Sequence, residues 1–441
     1  MRQLATLAIV APLLIAAAPA PHRELAKLPA QVSEARLKTT LQRLVAFGTR
    51  HTLSDRVSPT RGIGAAERWT AAEFEAISKA CNHCLQVEIP MQFFTGRRVP
   101  NPTQIGAILA IQRGSTDPNR VIIISGHIDS RVSDPMNATS DAPGANDDGS
   151  GTTAVIEAAR ILSQQKFPAT IVYAVLEGEE QGLYGGKTLA DYAKAKGWQV
   201  EAVLNNDIVG NTQGSSGIID RTHVRVFSEG TKTLETPEQA AQRRYNGGEV
   251  DSPSRNLARF IDTIAANYLK GLDAVMIYRT DRYGRGGDQT EMLNAGFPAV
   301  RITEAAENYD RQHQDVRTEN GRAFGDVLSG VDFLYLAKVT RLNVVSLAAL
   351  AHAPAPPQGV KIEGAVTSDT TISWNAVPGA ARYRVRWRST TAPQWEHAQD
   401  VTDLTATLKG IVIDDWLFGV SSVSADGFES PVVFPGPAGS F

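Results

Sequence analysis

The chain has 441 residues, 42% of them hydrophobic and 21% charged, with a formal net charge of −3. That length leaves room for two or three domains of ordinary soluble composition. Acids and bases are interleaved, so no basic block points to nucleic acid or an anionic membrane, and no acidic tail points to disorder.

In chain order, Arg2 comes first, followed by an apolar run from Leu4 to Ala18 and small residues around Ala16–Ala20. This is the order of a secretory signal peptide, expected over residues 1–20. The run is shorter than the ~20 residues a spanning helix needs, and Pro12 interrupts it. No later stretch reads as long and apolar enough to cross a membrane. The mature chain is therefore expected to be secreted or periplasmic, without stable membrane insertion.

Residues 31–47 and 64–80 read as helices, with Leu37, Leu41 and Leu44 at helical spacing. The only cysteines, Cys81 and Cys84, follow the second helix, and in an exported chain they are expected to form a local disulfide. Strands are expected at 85–89 and 105–111. Apolar runs at 121–125, 170–176, 202–207 and 298–302 then alternate with helical patterns near 150–164, 186–196, 253–270 and 322–350. Such alternation implies an α/β fold, a largely parallel sheet with helices on both faces. The catalytic domain is expected to span 25–350, and Ala351 to Pro357 reads as an Ala/Pro linker. Residues 358–441 carry short strand candidates such as Thr371–Trp374 and Tyr383–Trp387, and resemble a fibronectin type III β-sandwich.

Acids and histidines gather where the apolar runs end. Gly126-His127-Ile128-Asp129 closes the first run, Glu177-Gly178-Glu179-Glu180 closes the second, and Asp207 closes the third. Ligands of open α/β sheets bind outside the carboxyl ends of the strands. Pro143-Gly144-Ala145-Asn146-Asp147-Asp148-Gly149 adds a glycine-rich turn before a helix. Alone, its two aspartates read as helix N-terminal acids. Beside His127 and Glu180 that reading loses its hold. Asp129, two residues from His127, can share its face in an extended segment and steady the imidazole as an outer partner.

These motifs occur in order with a late His313-x-Asp315, and as a set they resemble the co-catalytic dizinc aminopeptidases of metallopeptidase family 28 over roughly residues 40–345. The resemblance implies a mixed, mostly parallel sheet of about eight strands sandwiched by helices. It implies two Zn2+ per chain. His127, Asp147 and Asp207 would hold one, Asp147, Glu180 and His313 the other, and Glu179 would be the general base. Three ligand carboxylates against two zinc ions leave one positive charge for a hydroxide to balance. Relatives often carry Ser-Asp-His where this chain has Gly287-Asp288-Gln289, and nearby Tyr283 reads either as an oxyanion donor or as a surface tyrosine. The substrates implied are peptides with a free N-terminus. The same scaffold also serves a carboxypeptidase, an amidase or a glutaminyl cyclase, and a non-catalytic binding protein using the fibronectin-like module is the reading from another class. The other six histidines read as ordinary, with His51 the one to revisit. Nothing in the sequence sets an oligomeric state.

Overall fold

A computed structural model describes residues 22–441, so the expected leader over residues 1–20 lies outside the described residues. Helix α1 (Glu34–Val45) begins where the Ser33 hydroxyl accepts the Arg36 N–H, and it buries Leu37, Leu41 and Leu44 on one stripe. Helix α2 (Ile63–Ala80) runs into a disulfide between Cys81 and Cys84. Strands β1 (Gln86–Glu88), β2 (Met91–Gly96), β3 (Val99–Gln112) and β4 (Asp117–His127) follow. Then come α3 (Gly149–Leu162), β5 (Ala169–Leu176), the single turn α4 (Glu179–Gly182), α5 (Tyr184–Ala195) and β6 (Gln199–Asn206). The body continues with β7 (His223–Phe227), α6 (Pro237–Asn246), α7 (Pro253–Tyr268), β8 (Asp273–Ile277), α8 (Gln289–Asn294) and β9 (Ala299–Glu304). A hairpin of β10 (Arg317–Glu319) and β11 (Arg322–Phe324) precedes α9 (Phe333–His352).

Nine strands form one sheet in the order β1-β3-β5-β4-β6-β9-β7-β8, with β2 pairing β3. The centre is parallel (β5, β4, β6 and β9), and antiparallel pairs flank it. Strand alternation assigns side chains to two cores. Ile122, Ile124, Ile171 and Leu204 face a core shared with α1, α3 and α9, while Val121, Ile123, Val172 and Val203 face one shared with α5 and α8. Each such fully buried side chain contributes about 1.5–3 kcal/mol. β4 therefore sits mid-sheet, between β5 and β6. The expected fold class holds.

Three expectations need correction. The helix expected at 322–350 begins only at Phe333. Its first residues instead form the hairpin, because Asn320 and Gly321 both take positive φ (51° and 76°) and turn the chain in two residues. Among the described residues one helix, α9, is long and apolar enough to cross a membrane, but it is mostly buried as a core helix. The segment 351–357 is no free spacer: α9 runs on to His352, and Pro354, Pro356 and Pro357 are buried.

The C-terminal part adds β12 (Lys361–Glu363), β13 (Thr370–Ser373), β14 (Arg382–Ser389), β15 (His397–Val401), β16 (Thr405–Leu408) and β17 (Trp416–Val423). They form two three-stranded antiparallel sheets, β12-β13-β16 and β15-β14-β17, around Ile372, Trp374, Val385 and Phe418. A buried carboxylate latches this unit to the body. Asp251 accepts from Arg259 of α7 (2.8 Å) and from Arg388 of β14 (2.9 Å).

Candidate metal centre

The strand order brings the expected residues together. β5, β4 and β6 are neighbours, so their carboxyl ends set Glu179 and Glu180, His127 and Asp207 side by side. Asp147 arrives from the loop before α3, and His313 from the loop after β9, which itself pairs β6. Two triads result, His127–Asp147–Asp207 and Asp147–Glu180–His313, the ligand atoms within each lying within 4.8 Å of one another. Asp147 belongs to both. Its Oδ1 lies 3.3 Å from His127 Nε2, and its Oδ2 lies 2.9 Å from His313 Nε2. Glu180 Oε1 is 3.0 Å from His313 Nε2, and Asp207 Oδ1 is 3.8 Å from His127 Nε2.

The adjacent Asp148 keeps the helix-end role. Its side chain caps α3 at Gly151 N–H (2.8 Å) and also accepts the N–H of His127 (3.0 Å) and Ile208 (3.2 Å). The glycines here answer to space. A Cβ on Gly151 would fall 2.3 Å from the Asn206 carbonyl, so only glycine lets α3 start against the end of β6.

Asp129 acts through two different groups, its carbonyl and its carboxylate. The His127 Nδ1–H donates to the Asp129 carbonyl at 3.1 Å, with the carboxylate at 3.5 Å. The carboxylate instead accepts the N–H groups of Glu179 (3.2 Å) and Glu180 (3.1 Å), tying the acid turn to the histidine motif. With the proton on Nδ1, the Nε2 lone pair faces the triad. Among the described residues no donor meets that buried Nε2, which faces the Asp147 and Asp207 carboxylates instead. Buried acceptors without donors are costly unless a cation meets them. Imidazoles and carboxylates without thiols suit zinc, so the residues fit the two-metal set the sequence implied.

The carboxylates draw positive charge into the cluster. Burial opposes charge on His127, yet Asp129, Asp147 and Asp207 outweigh it and hold the ring well above its ordinary range. Burial likewise opposes His313, but Glu180 and Asp147 hold it up at about 10. Asp147 goes the other way: burial would raise it, and His313 and His127 pull it well below the usual carboxylate range. Glu179 is pushed well above that range by burial, against the pull of His127 and with help from Asp207 and Glu180. It lines a cavity of about 300 Å3 together with Asp147, Glu180, Asp207 and His313.

Sequence reasoning missed the groups that orient these ligands. Arg131 Nε donates to Glu180 Oε2 (2.8 Å) and Arg301 Nη1 forms an ion pair with Asp207 Oδ2 (2.6 Å), so each carboxylate keeps its other oxygen for the triad. Asp326 accepts the N–H groups of Asn146 (2.9 Å) and Asp147 (2.7 Å), and Gln312 donates to Asp147 Oδ2 (3.2 Å). Arg50, fully buried, straps the glycine-rich turn through the carbonyls of Pro143 (2.6 Å) and Gly144 (2.8 Å). An arginine inside the buried run Val300-Arg301-Ile302 was the one readable signal among them. His51 is buried, its Nε2 against the Pro135 carbonyl (2.9 Å) and the Gln181 amide (3.0 Å), and it belongs to neither triad. Tyr283 stands 84% exposed, and its loop lines the cavity through Arg282, Arg285 and Gly286 instead. Gln289 is buried and donates to Asp281 (2.5 Å), so it supports the loop rather than the cavity.

A chain with this sheet and these triads belongs to peptidase family M28, whose model matches residues 107–331. Its relatives include a probable zinc metalloprotease of Leptosphaeria maculans, 44% identical over 95% of this chain and 98% of that one. Another, from Pyricularia oryzae, is 41% identical over 95% and 85%. Among solved structures, the LapA aminopeptidase of Legionella pneumophila matches 77% of this chain and 78% of that one, with a TM-score of 0.53 at 17% identity. The aminopeptidase of Aneurinibacillus sp. strain AM-1 matches 74% and 96%, with a TM-score of 0.51 at 14% identity. At such identities these two likenesses speak to the fold alone.

Proposed function

We propose that this zinc metallopeptidase of family M28 is an exported aminopeptidase, holding two zinc ions and releasing N-terminal residues from peptides with a free amine. The observation that carries the reading is the division of Asp147, one oxygen toward His127 and the other toward His313. In it, His127, Asp147 and Asp207 hold one ion, and Asp147, Glu180 and His313 the other. Zinc bound there supplies Lewis-acid polarisation of the scissile carbonyl and a lowered pKa for water.

The protein's own groups do the rest. Glu179 opens onto the cavity with its carboxyl raised, which suits a general base that takes the proton of the attacking water and passes it to the leaving amine. The Asp129 carboxylate fixes the Glu179 and Glu180 N–H groups, so base and ligand keep their spacing. A cavity of about 300 Å3, at the small end of ligand sites, suits a chain end better than a chain passing through. Export rests on the N-terminal sequence, and the C-terminal sandwich is read as fibronectin type III-like on its strand pairing.

Free and N-acetylated aminoacyl anilides, assayed with and without a chelator, test this. Free amines should be cleaved, acetylated ones should not, and zinc should restore what the chelator removes. Equal cleavage of blocked and free substrates would sink the aminopeptidase reading.

A further inference from the structure

The cavity wall carries four arginines, Arg98, Arg131, Arg282 and Arg285, although the whole chain is slightly acidic. The four carboxylates of the same wall, Asp147, Glu179, Glu180 and Asp207, are the assigned ligands and base, so metals there would leave the guanidiniums in excess. The arginines differ in how far they are committed. Arg131 is held by Glu180 Oε2 and His313 Nδ1 (2.8 and 2.6 Å). Arg282 is held by Asp281 (3.1 Å), Glu307 (3.3 Å) and the Gly286 carbonyl (3.3 Å).

Arg98 and Arg285 are not. Arg98, at the tip of the β2–β3 hairpin, donates one Nη to the Glu180 carbonyl (2.6 Å) and has no carboxylate partner among the described residues. Among the described residues Arg285 uses only Nη1, toward Glu307 (3.1 Å) and Gln312 (3.4 Å), and Glu307 is already shared with Arg225 and Arg282. Two guanidiniums with free N–H groups thus line the cavity that holds Glu179.

We propose that Arg98 and Arg285 bind a substrate carboxylate within one residue of the scissile bond, so that the enzyme prefers short or acidic peptides. This rests on the aminopeptidase reading. The carboxylate has two sources: an acidic side chain on the N-terminal residue, or the α-carboxylate of a dipeptide.

Two matched pairs separate these sources. For the zinc-loaded full chain, kcat/KM is compared for Glu- against Gln-anilide, and for Leu-Leu against Leu-Leu-amide. At least one ratio should favour the carboxylate by about 10- to 100-fold, as charge-assisted hydrogen bonds allow. That ratio should shrink with added salt. It should fall about tenfold in Arg98→Met and Arg285→Gln, and recover in part in Arg98→Lys. Calorimetry with glutarate and its monoamide reads the same recognition without turnover, and Arg98→Met should erase the difference between them. Ratios near one with good turnover of the neutral substrates would overturn this inference alone. No turnover of any of the four would sink the aminopeptidase reading. Calorimetry then decides the carboxylate site, and equal binding of the two probes overturns it.

Discussion

His127 and Asp207 come from the ends of adjacent buried strands, whereas Glu180 rides on a single helical turn and His313 on a loop with φ +56°. The contrast continues in exposure. The side chains of His127 and Asp207 are 1% and 4% exposed, and that of His313 is 24% exposed. The first half is held by sheet packing on both faces and by Arg301. The second is held by Arg131, Asp129 and the run of loop around Gln312. A ligand set fixed in advance loses less entropy on binding. The sheet-borne half should therefore hold its metal more tightly than the loop-borne half, with Asp147 as the joint between them.

The joint gives the largest expected effect. Asp147→Ala should strip ligands from both halves, taking zinc below one equivalent per chain by elemental analysis and turnover to background. Retention of one tight equivalent would show that the halves are more independent than the geometry says. Glu179→Gln comes next, with turnover falling about 10²- to 10⁴-fold and zinc content unchanged, because the residue is not in either triad. Loss of metal there would break the separation of base from ligands. His313→Ala should remove only the equivalent that a competing chelator takes first from the unaltered protein. If the tight equivalent leaves instead, the ranking of the halves is reversed.

The two halves also differed in how readable they were. His127, Glu180 and Asp207 announced themselves because buried strands are continuous apolar runs, and a polar residue at their end marks the sheet edge. His313 had no such frame, since the loop before it belongs to no periodic pattern. Strands β7 and β8 went unread because they are five residues each and partly exposed. Reading 322–332 as helix hid Asp326, although Asn320-Gly321 carried the turn signal. Arg131 and Arg301 join residues 49 and 94 positions apart, and such pairings depend on strand order, which no local pattern encodes.

The smallest effect tests the root of the loop-borne half. Glu177 stands three residues before Glu180 but belongs to neither triad, accepting the Gly106 N–H (3.3 Å) and sharing Arg56 (3.5 Å) with Glu67. Burial, and then Glu67 against the pull of Arg56, pushes its carboxyl up to about 8. An acid raised in the folded state keeps its proton there while the unfolded chain releases it. Its contribution is fully present below the ordinary carboxyl pKa and is lost as pH climbs through about 8. Glu177→Gln mimics the protonated form, so the variant should match the unaltered protein near pH 4 and be more stable near pH 9. Zinc retention by the Glu180 half should not change. Paired thermal melts across that range check the sign, and a variant less stable at pH 9 would mean that Glu177 works as a charged anchor for the turn carrying Glu179 and Glu180.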